Sequence, residues 1–173
     1  MRTVLVIFHS RGGTSRRAAR LLAAQQAWPT GEVVEERPRS GIGGTLACVI
    51  DSLLRRHPPV RYVGPDPGDF DLVVLVSPIW AWRLSGPMRS FASAHGRRLR
   101  SYAVLSTMGA GGAANAEAEL RRLTGRSPVL CAAVLARHVE DGSCATTLEA
   151  FGDTLAGERF GAQPPPALSA QVP

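Results

Sequence analysis

The spacing of apolar and polar positions changes several times along the chain, and each change marks an element. Residues 4–8 (Val-Leu-Val-Ile-Phe) are apolar without a break, the pattern of a strand covered on both faces in a parallel sheet. From Thr14 the spacing turns helical, with Ala18, Leu21, Leu22 and Gln25 on one side and arginines and alanines between them. Trp28-Pro29-Thr30-Gly31 breaks that helix. Residues 32–37 predict a short strand ended by Pro38, and residues 41–44 a loose turn. Leu46, Val49, Ile50, Leu53 and Leu54 predict an amphipathic helix over 45–56, stopped by His57-Pro58-Pro59. Residues 62–69, rich in proline and glycine, read as a connector.

A third strand, apolar on both faces, is expected at 71–76 and an irregular loop at 77–87; the helix after it turns Met88, Phe91 and Ala92 inward. Residues 102–106 predict a fourth strand, 107–112 a second glycine-rich turn and 113–123 a helix. A fifth strand is expected at 129–136 and a last helix at 147–155, with Leu148, Phe151 and Leu155 inward. From Gly161 the composition shifts to proline, alanine and serine, so 1–160 reads as the folded domain and 161–173 as a disordered tail. Strand and helix alternate five times. Apolar strands joined by helical crossovers require a parallel sheet covered on both faces: an α/β, doubly wound three-layer sandwich with a five-stranded sheet. Ligands in such sheets bind beyond the C-terminal strand edges, where the strand order reverses. The loops after the first, third and fourth strands are therefore where chemistry is expected.

Composition narrows the function classes. At 173 residues the chain allows one domain with one substantial core. No apolar run approaches the ~18 residues of a membrane span, and the first apolar run is too short for a signal peptide. Cys48, Cys131 and Cys144 are odd in number and contain no C-x-x-C pair, unlike a disulfide frame or a zinc site. A cytoplasmic protein is expected. The net charge of +6 comes entirely from arginine, with no lysine in the chain, which removes Schiff-base and lysine general-base chemistry. Nucleic acid is disfavoured as a partner. The arginines are scattered in pairs (Arg16/Arg17, Arg55/Arg56, Arg97/Arg98, Arg121/Arg122), as on solvated helix faces, rather than gathered in a block.

The first loop, Ser10-Arg11-Gly12-Gly13-Thr14-Ser15, aims free N–H groups, hydroxyls and the positive end of a helix at one spot, which suits an anion. Arg16 and Arg17 oppose the helix dipole by a few tenths of a kcal/mol each, and a bound phosphate would reverse that sign. The second, Ser77-Pro78-Ile79-Trp80-Ala81-Trp82 and on to Pro87, holds two tryptophans that need a cover, and a flat heteroaromatic ring supplies one by offset stacking. The alternative is that one tryptophan closes the end of the core. The third, Thr107-Met108-Gly109-Ala110-Gly111-Gly112, lets backbone approach closely. None of these loops carries Asp or Glu, and the last two carry no His, which argues against acid–base or metal chemistry. What remains is a site for an anionic, planar molecule that brings its own reactivity, as a flavin does.

In this order on these strands, the three segments resemble those of the flavodoxin family. Ser10 to Ser15 is similar to its phosphate loop, Phe70-Asp71 with Ser77-Pro78-Ile79-Trp80 to its second FMN segment, and Thr107-Met108-Gly109 to its third. The likeness runs over residues 3–155 and implies strand order 2-1-3-4-5, the order of flavodoxins themselves. It implies that Ser10, Gly12, Gly13, Thr14 and Ser15 bind the FMN phosphate with Arg11 at the rim. Ser77, Pro78, Ile79, Trp80, Ala81 and Trp82 would line one side of the ring, and Thr107, Met108, Gly109, Ala110 and Gly111 the other. Two departures matter. Gly12 stands where the family often has Thr, and the third segment lacks the aromatic that covers the outer flavin face in electron carriers, which leaves that face open.

Gly109 to Ala114 nearly fits the dinucleotide fingerprint G-x-G-x-x-G/A, but that motif normally follows the first strand, so a Rossmann dehydrogenase is the weaker reading. No Walker motif is present, and a thiol phosphatase loop would need Cys in place of Ser10. Carriers of the family are acidic and this chain is basic. One arginine about 8 Å from the ring, at an effective dielectric near 20, stabilises an anionic flavin by roughly 2 kcal/mol, on the order of 40 mV for a two-electron couple. Arg11 and Arg83 are the candidates. The expectation is an FMN-dependent NAD(P)H oxidoreductase acting on a small acceptor such as a quinone, with a homodimer compatible with the resemblance. A one-electron carrier serving a redox protein, and a flavin-free interaction domain, are the alternatives.

Overall fold

The structure, a computed structural model, describes residues 3–36, 44 and 49–157. Its centre is the first strand, β1 (Val4–Phe8), every residue of which is buried. β1 pairs in parallel with β2 (Thr30–Glu35) on one side and with β4 (Leu72–Trp80) on the other. Beyond β4 lie β6 (Tyr102–Met108) and β7 (Cys131–Leu135), again parallel. These five strands run in the expected order 2-1-3-4-5 and make the fold flavodoxin-like.

Two short strands extend this frame. β3 (Val60–Val63) adds an antiparallel edge to β2, and β5 (Arg83–Leu84) folds back on the end of β4, giving seven strands among the described residues. The proline-rich connector expected at 62–69 is thus part strand, followed by a 3-10 turn at Pro67–Asp69. The loop expected from 77 is likewise a hairpin, because β4 continues through Ser77-Pro78-Ile79-Trp80. Pro78 is tolerated since the ladder from β4 to β6 ends on it, at the Pro78–Thr107 pair. Residues 49–53 are helical, as expected; the earlier part of that predicted helix, at 45–48, and the expected tail at 161–173 lie outside the described residues.

The apolar strands carry two cores, one per face. Val4, Val6, Phe8, Leu72, Val74 and Val76 pack under α1 (Thr14–Gln26) and the last helix, α5 (Ala145–Gly157). The intervening Leu5, Ile7, Val73, Leu75 and Val104 pack under α2 (Gly86–His95) and α3 (Ala113–Thr124), through Met88, Phe91, Ala116 and Leu120. Period-two alternation with both faces apolar forces this sandwich: either layer of helices removed would expose a full face. The short α4 (Ala136–Asp141), absent from the sequence expectation, follows β7 directly. No helix among the described residues is long and apolar enough to cross a membrane.

Candidate functional site

Three strand ends meet at one cleft. Behind β1, the chain turns through Ser10, whose Oγ accepts the Gly13 N–H at 3.1 Å, and enters α1. Gly13 is the N-cap with φ of 92°, a left-handed conformation that favours glycine, and it brings no capping side chain. The first bond within α1 is Arg17 N–H to the Gly13 carbonyl at 2.9 Å, so the N–H groups ahead of it face outward. The first turn contains no acid. Ser15 is buried and its hydroxyl meets that of Thr107 at 2.6 Å, which ties the start of α1 to the end of β6.

The cleft, about 190 Å³, is lined by Ser10, Arg11, Gly12, Thr14 and Ser15 from the first loop, by Pro78, Ile79 and Trp80 from β4, and by Thr107, Met108 and Gly109 at the end of β6. Ala136, where β7 passes into α4, completes the wall. The sequence reading missed it, although a parallel strand's C-terminal end is where such sites lie. A Cβ built on Gly12 or Gly109 would meet nothing within 4 Å, so both glycines border open space.

The other expected residues sit elsewhere. Gly13 shapes the first loop but faces a neighbouring groove. Ser77 is buried, its Oγ 2.9 Å from the Ser85 Oγ, and so joins the base of the hairpin to the start of α2. Ala81 and Trp82 form the hairpin's two-residue turn, both left-handed with φ of 48° and 59°. That turn matches the twist of the strands but usually calls for Asn-Gly. It carries Trp82 away from the cleft and over Gly111 and Gly112. The Trp82 carbonyl accepts Asn115 Nδ2 at 3.1 Å, and the side chain stays 64% exposed. At Gly112, with φ of 103°, a Cβ would lie 2.5 Å from Trp82 Cα, so only glycine fits. Ala110 and Gly111 do not line the cleft, and Arg83 pairs with Trp80 across the hairpin.

One further residue lies beneath the site. His9 is buried; its Nδ1 hydrogen-bonds the Val33 carbonyl at 2.9 Å, so Nδ1 carries the proton and Nε2 is an acceptor. Nε2 has no partner. The ring meets Trp80 edge-on at 6.0 Å, with the planes at 88°. Burial pulls the imidazole below its ordinary value, against the Val33 carbonyl and Glu35, which raise it. Neither described cysteine is a poised nucleophile: burial, with Glu117 adding to it, pushes the Cys131 thiol up to about 12, and burial also raises Cys144.

This geometry can hold an anion at the uncapped start of α1 and a flat ring between Trp80 and the glycine-containing backbone after β6. The sequence matches no protein-family model and no curated protein. Solved structures do share the fold. The flavoprotein of Lactobacillus acidophilus in complex with FMN superposes with a TM-score of 0.65 at 14% identity, over 83% of this chain and 99% of its own. A flavodoxin, WrbA-like protein of Agrobacterium tumefaciens gives 0.59 at 14% identity, over 90% and 96%. The NAD(P)H:quinone oxidoreductase of Methanothermobacter marburgensis gives 0.55 at 14% identity, over 92% and 99%. Flavodoxin-like flavoproteins are thus the class whose architecture this chain has.

Proposed function

We propose that the cleft binds FMN and that the protein is an NAD(P)H-dependent reductase of a small acceptor such as a quinone. The reading places the phosphate against Ser10, Gly12, Thr14 and Ser15, over the outward N–H groups of α1, with Arg11 at the rim. Gly12 and Gly109 leave the room that a cofactor needs, since each would otherwise point a Cβ into open space. The ring then lies along Pro78, Ile79 and Trp80. Held there, FMN would supply the hydride- and electron-transfer chemistry. The chain's part is to hold the phosphate, orient the ring and leave one face reachable.

The observation that carries the reductase over a carrier is the wall at the end of β6. It consists of Thr107, Met108 and Gly109, which bring no aromatic to the cleft, and Trp82 is directed elsewhere. A face left open allows donor and acceptor to visit in turn. Three of the flavoproteins with this fold, one of them an NAD(P)H:quinone oxidoreductase, add support at the level of architecture.

Anaerobic stopped-flow mixing of the FMN-loaded protein with NADPH and with NADH tests the reading. Bleaching of the flavin by at least one of them, followed by reoxidation with a quinone, is the expected result. No bleaching with either, together with one-electron cycling on photoreduction, would assign a carrier instead. Protein that stays colourless after FMN is added would assign an interaction domain.

A further inference from the structure

A second recess adjoins the cleft on the other side of the same turn. It measures about 480 Å³ and is lined by Gly13, Arg16, Arg17, Arg20, Leu21, Val139 and Gly142. The two spaces share their dividing walls. Gly12 and Thr14 face the cleft while Gly13 faces the recess, and α4 gives Ala136 to one and Val139 to the other. A molecule anchored at the first loop therefore needs to extend only past Gly13 to enter the recess.

The lining has a definite chemistry. Arg16 is paired with Glu32 from β2. Arg17 and Arg20 are exposed, and no ion pair or hydrogen bond engages either guanidinium among the described residues. On the facing element, Asp141 accepts the Ser143 N–H at 2.8 Å. Planar guanidinium forks match phosphate oxygens two at a time and also stack on flat rings. Leu21 and Val139 add apolar wall against which a ring can lie. The recess is made only when α4 packs beside α1, and α4 was not expected from the sequence.

We propose that this recess is a second binding site, for a phosphorylated adenosine, with Arg17 and Arg20 on the phosphate and Leu21 and Val139 beside the base. Two molecules carry that group to it: a pyridine dinucleotide phosphate, through its 2′-phosphoadenosine, or a flavin dinucleotide whose adenylate continues from the cleft. The proposal concerns direct binding and stands or falls apart from the reductase reading, which predicts turnover.

Titration calorimetry of the FMN-loaded full chain with 2′,5′-ADP, 5′-AMP, adenosine and inorganic phosphate tests it. At least one nucleotide is expected to bind at least tenfold more tightly than adenosine or phosphate alone, and Arg20→Gln and Arg17→Gln/Arg20→Gln to weaken it tenfold or more. Arg20→Gln should leave FMN affinity within about threefold. Equal binding of phosphate and nucleotide, or binding indifferent to the double substitution, overturns the site. The source follows from two comparisons. A Kd for NADPH, but not NADH, that rises in the double variant assigns the pyridine nucleotide. A loss of FAD affinity with FMN affinity kept in Arg20→Gln assigns the flavin dinucleotide.

Discussion

At the scale of single residues, the site rests on groups whose roles come from where the backbone ends, not from their own reactivity. Gly13 turns left-handed so that α1 begins without a cap, and Ser15 spends its hydroxyl on Thr107. His9 is a buried titratable group in contact with Trp80 of the cleft, and its burial has a measurable sign. Its folded value lies below the ordinary 6.5, chiefly through burial. The unfolded chain therefore takes up the proton first as pH falls, so the stabilisation is complete above about 6.5 and is lost below it. His95, lowered by burial and by Arg98, acts in the same direction. Asp66, Asp71 and Asp141 are held below the usual carboxylate value by backbone N–H groups, so their contribution is lost only in more acid solution. Urea unfolding between pH 7 and pH 5 should show stability falling with pH, and His9→Gln should flatten that slope. An unchanged slope in the variant would show that His9 does not titrate in this range.

At the scale of elements, one buried ion pair holds the layer on the far side of the sheet. Arg89 of α2 is fully buried and reaches Glu119 of α3 through Nε at 2.5 Å and a second nitrogen at 3.2 Å. It also donates to the carbonyls of Asp51, Ser52, Arg56 and Leu84, which gathers the end of the 49–53 helix and β5 onto α2. Removing one partner of such a pair strands the other charge, at a cost of about 3–5 kcal/mol. Glu119→Gln keeps the shape and removes the charge, so a loss of about 3 kcal/mol in urea unfolding is expected. The apolar pair Arg89→Met/Glu119→Leu should be less unstable than the sum of its single variants. A loss below about 1 kcal/mol for Glu119→Gln would mean that the pair is not what joins α2 to α3.

At the scale of the whole molecule, ligand and fold are linked, because a cofactor that binds only the folded chain stabilises it by mass action. FMN at about a hundred times its Kd should add about 2.7 kcal/mol, or roughly 5–10 °C in Tm for a domain of this size. Gly13→Asp adds a carboxylate to the turn at the start of α1, beside the cleft where the phosphate is proposed to sit, and it strains the left-handed position by about 1–2 kcal/mol. The variant should fold and melt a few degrees lower, at a temperature that FMN no longer moves. A variant that kept both its flavin and the thermal shift would remove the first loop from the site.

The order of elements was legible in the sequence because it rests on local period. Five apolar runs with helices between them leave few arrangements other than a parallel sheet covered on both faces, and the glycine turn after β1 marks the start of α1 whatever surrounds it. The resemblance to flavodoxins then implied the strand order. The edges were less legible: β3 and β5 are only four and two residues long, with an arginine in each, and become strands only because β2 and β4 offer free hydrogen-bonding groups beside them. The same holds at the site. Ser10, Gly12, Pro78, Trp80 and Gly109 line one cleft because the ends of three parallel strands lie side by side. Trp82, next but one to Trp80, leaves it because the hairpin reverses between them. Residue type and period determined which segments reach the cleft; long-range packing alone decided which side chains face it, set His9 edge-on to Trp80, and opened a recess between α1 and α4.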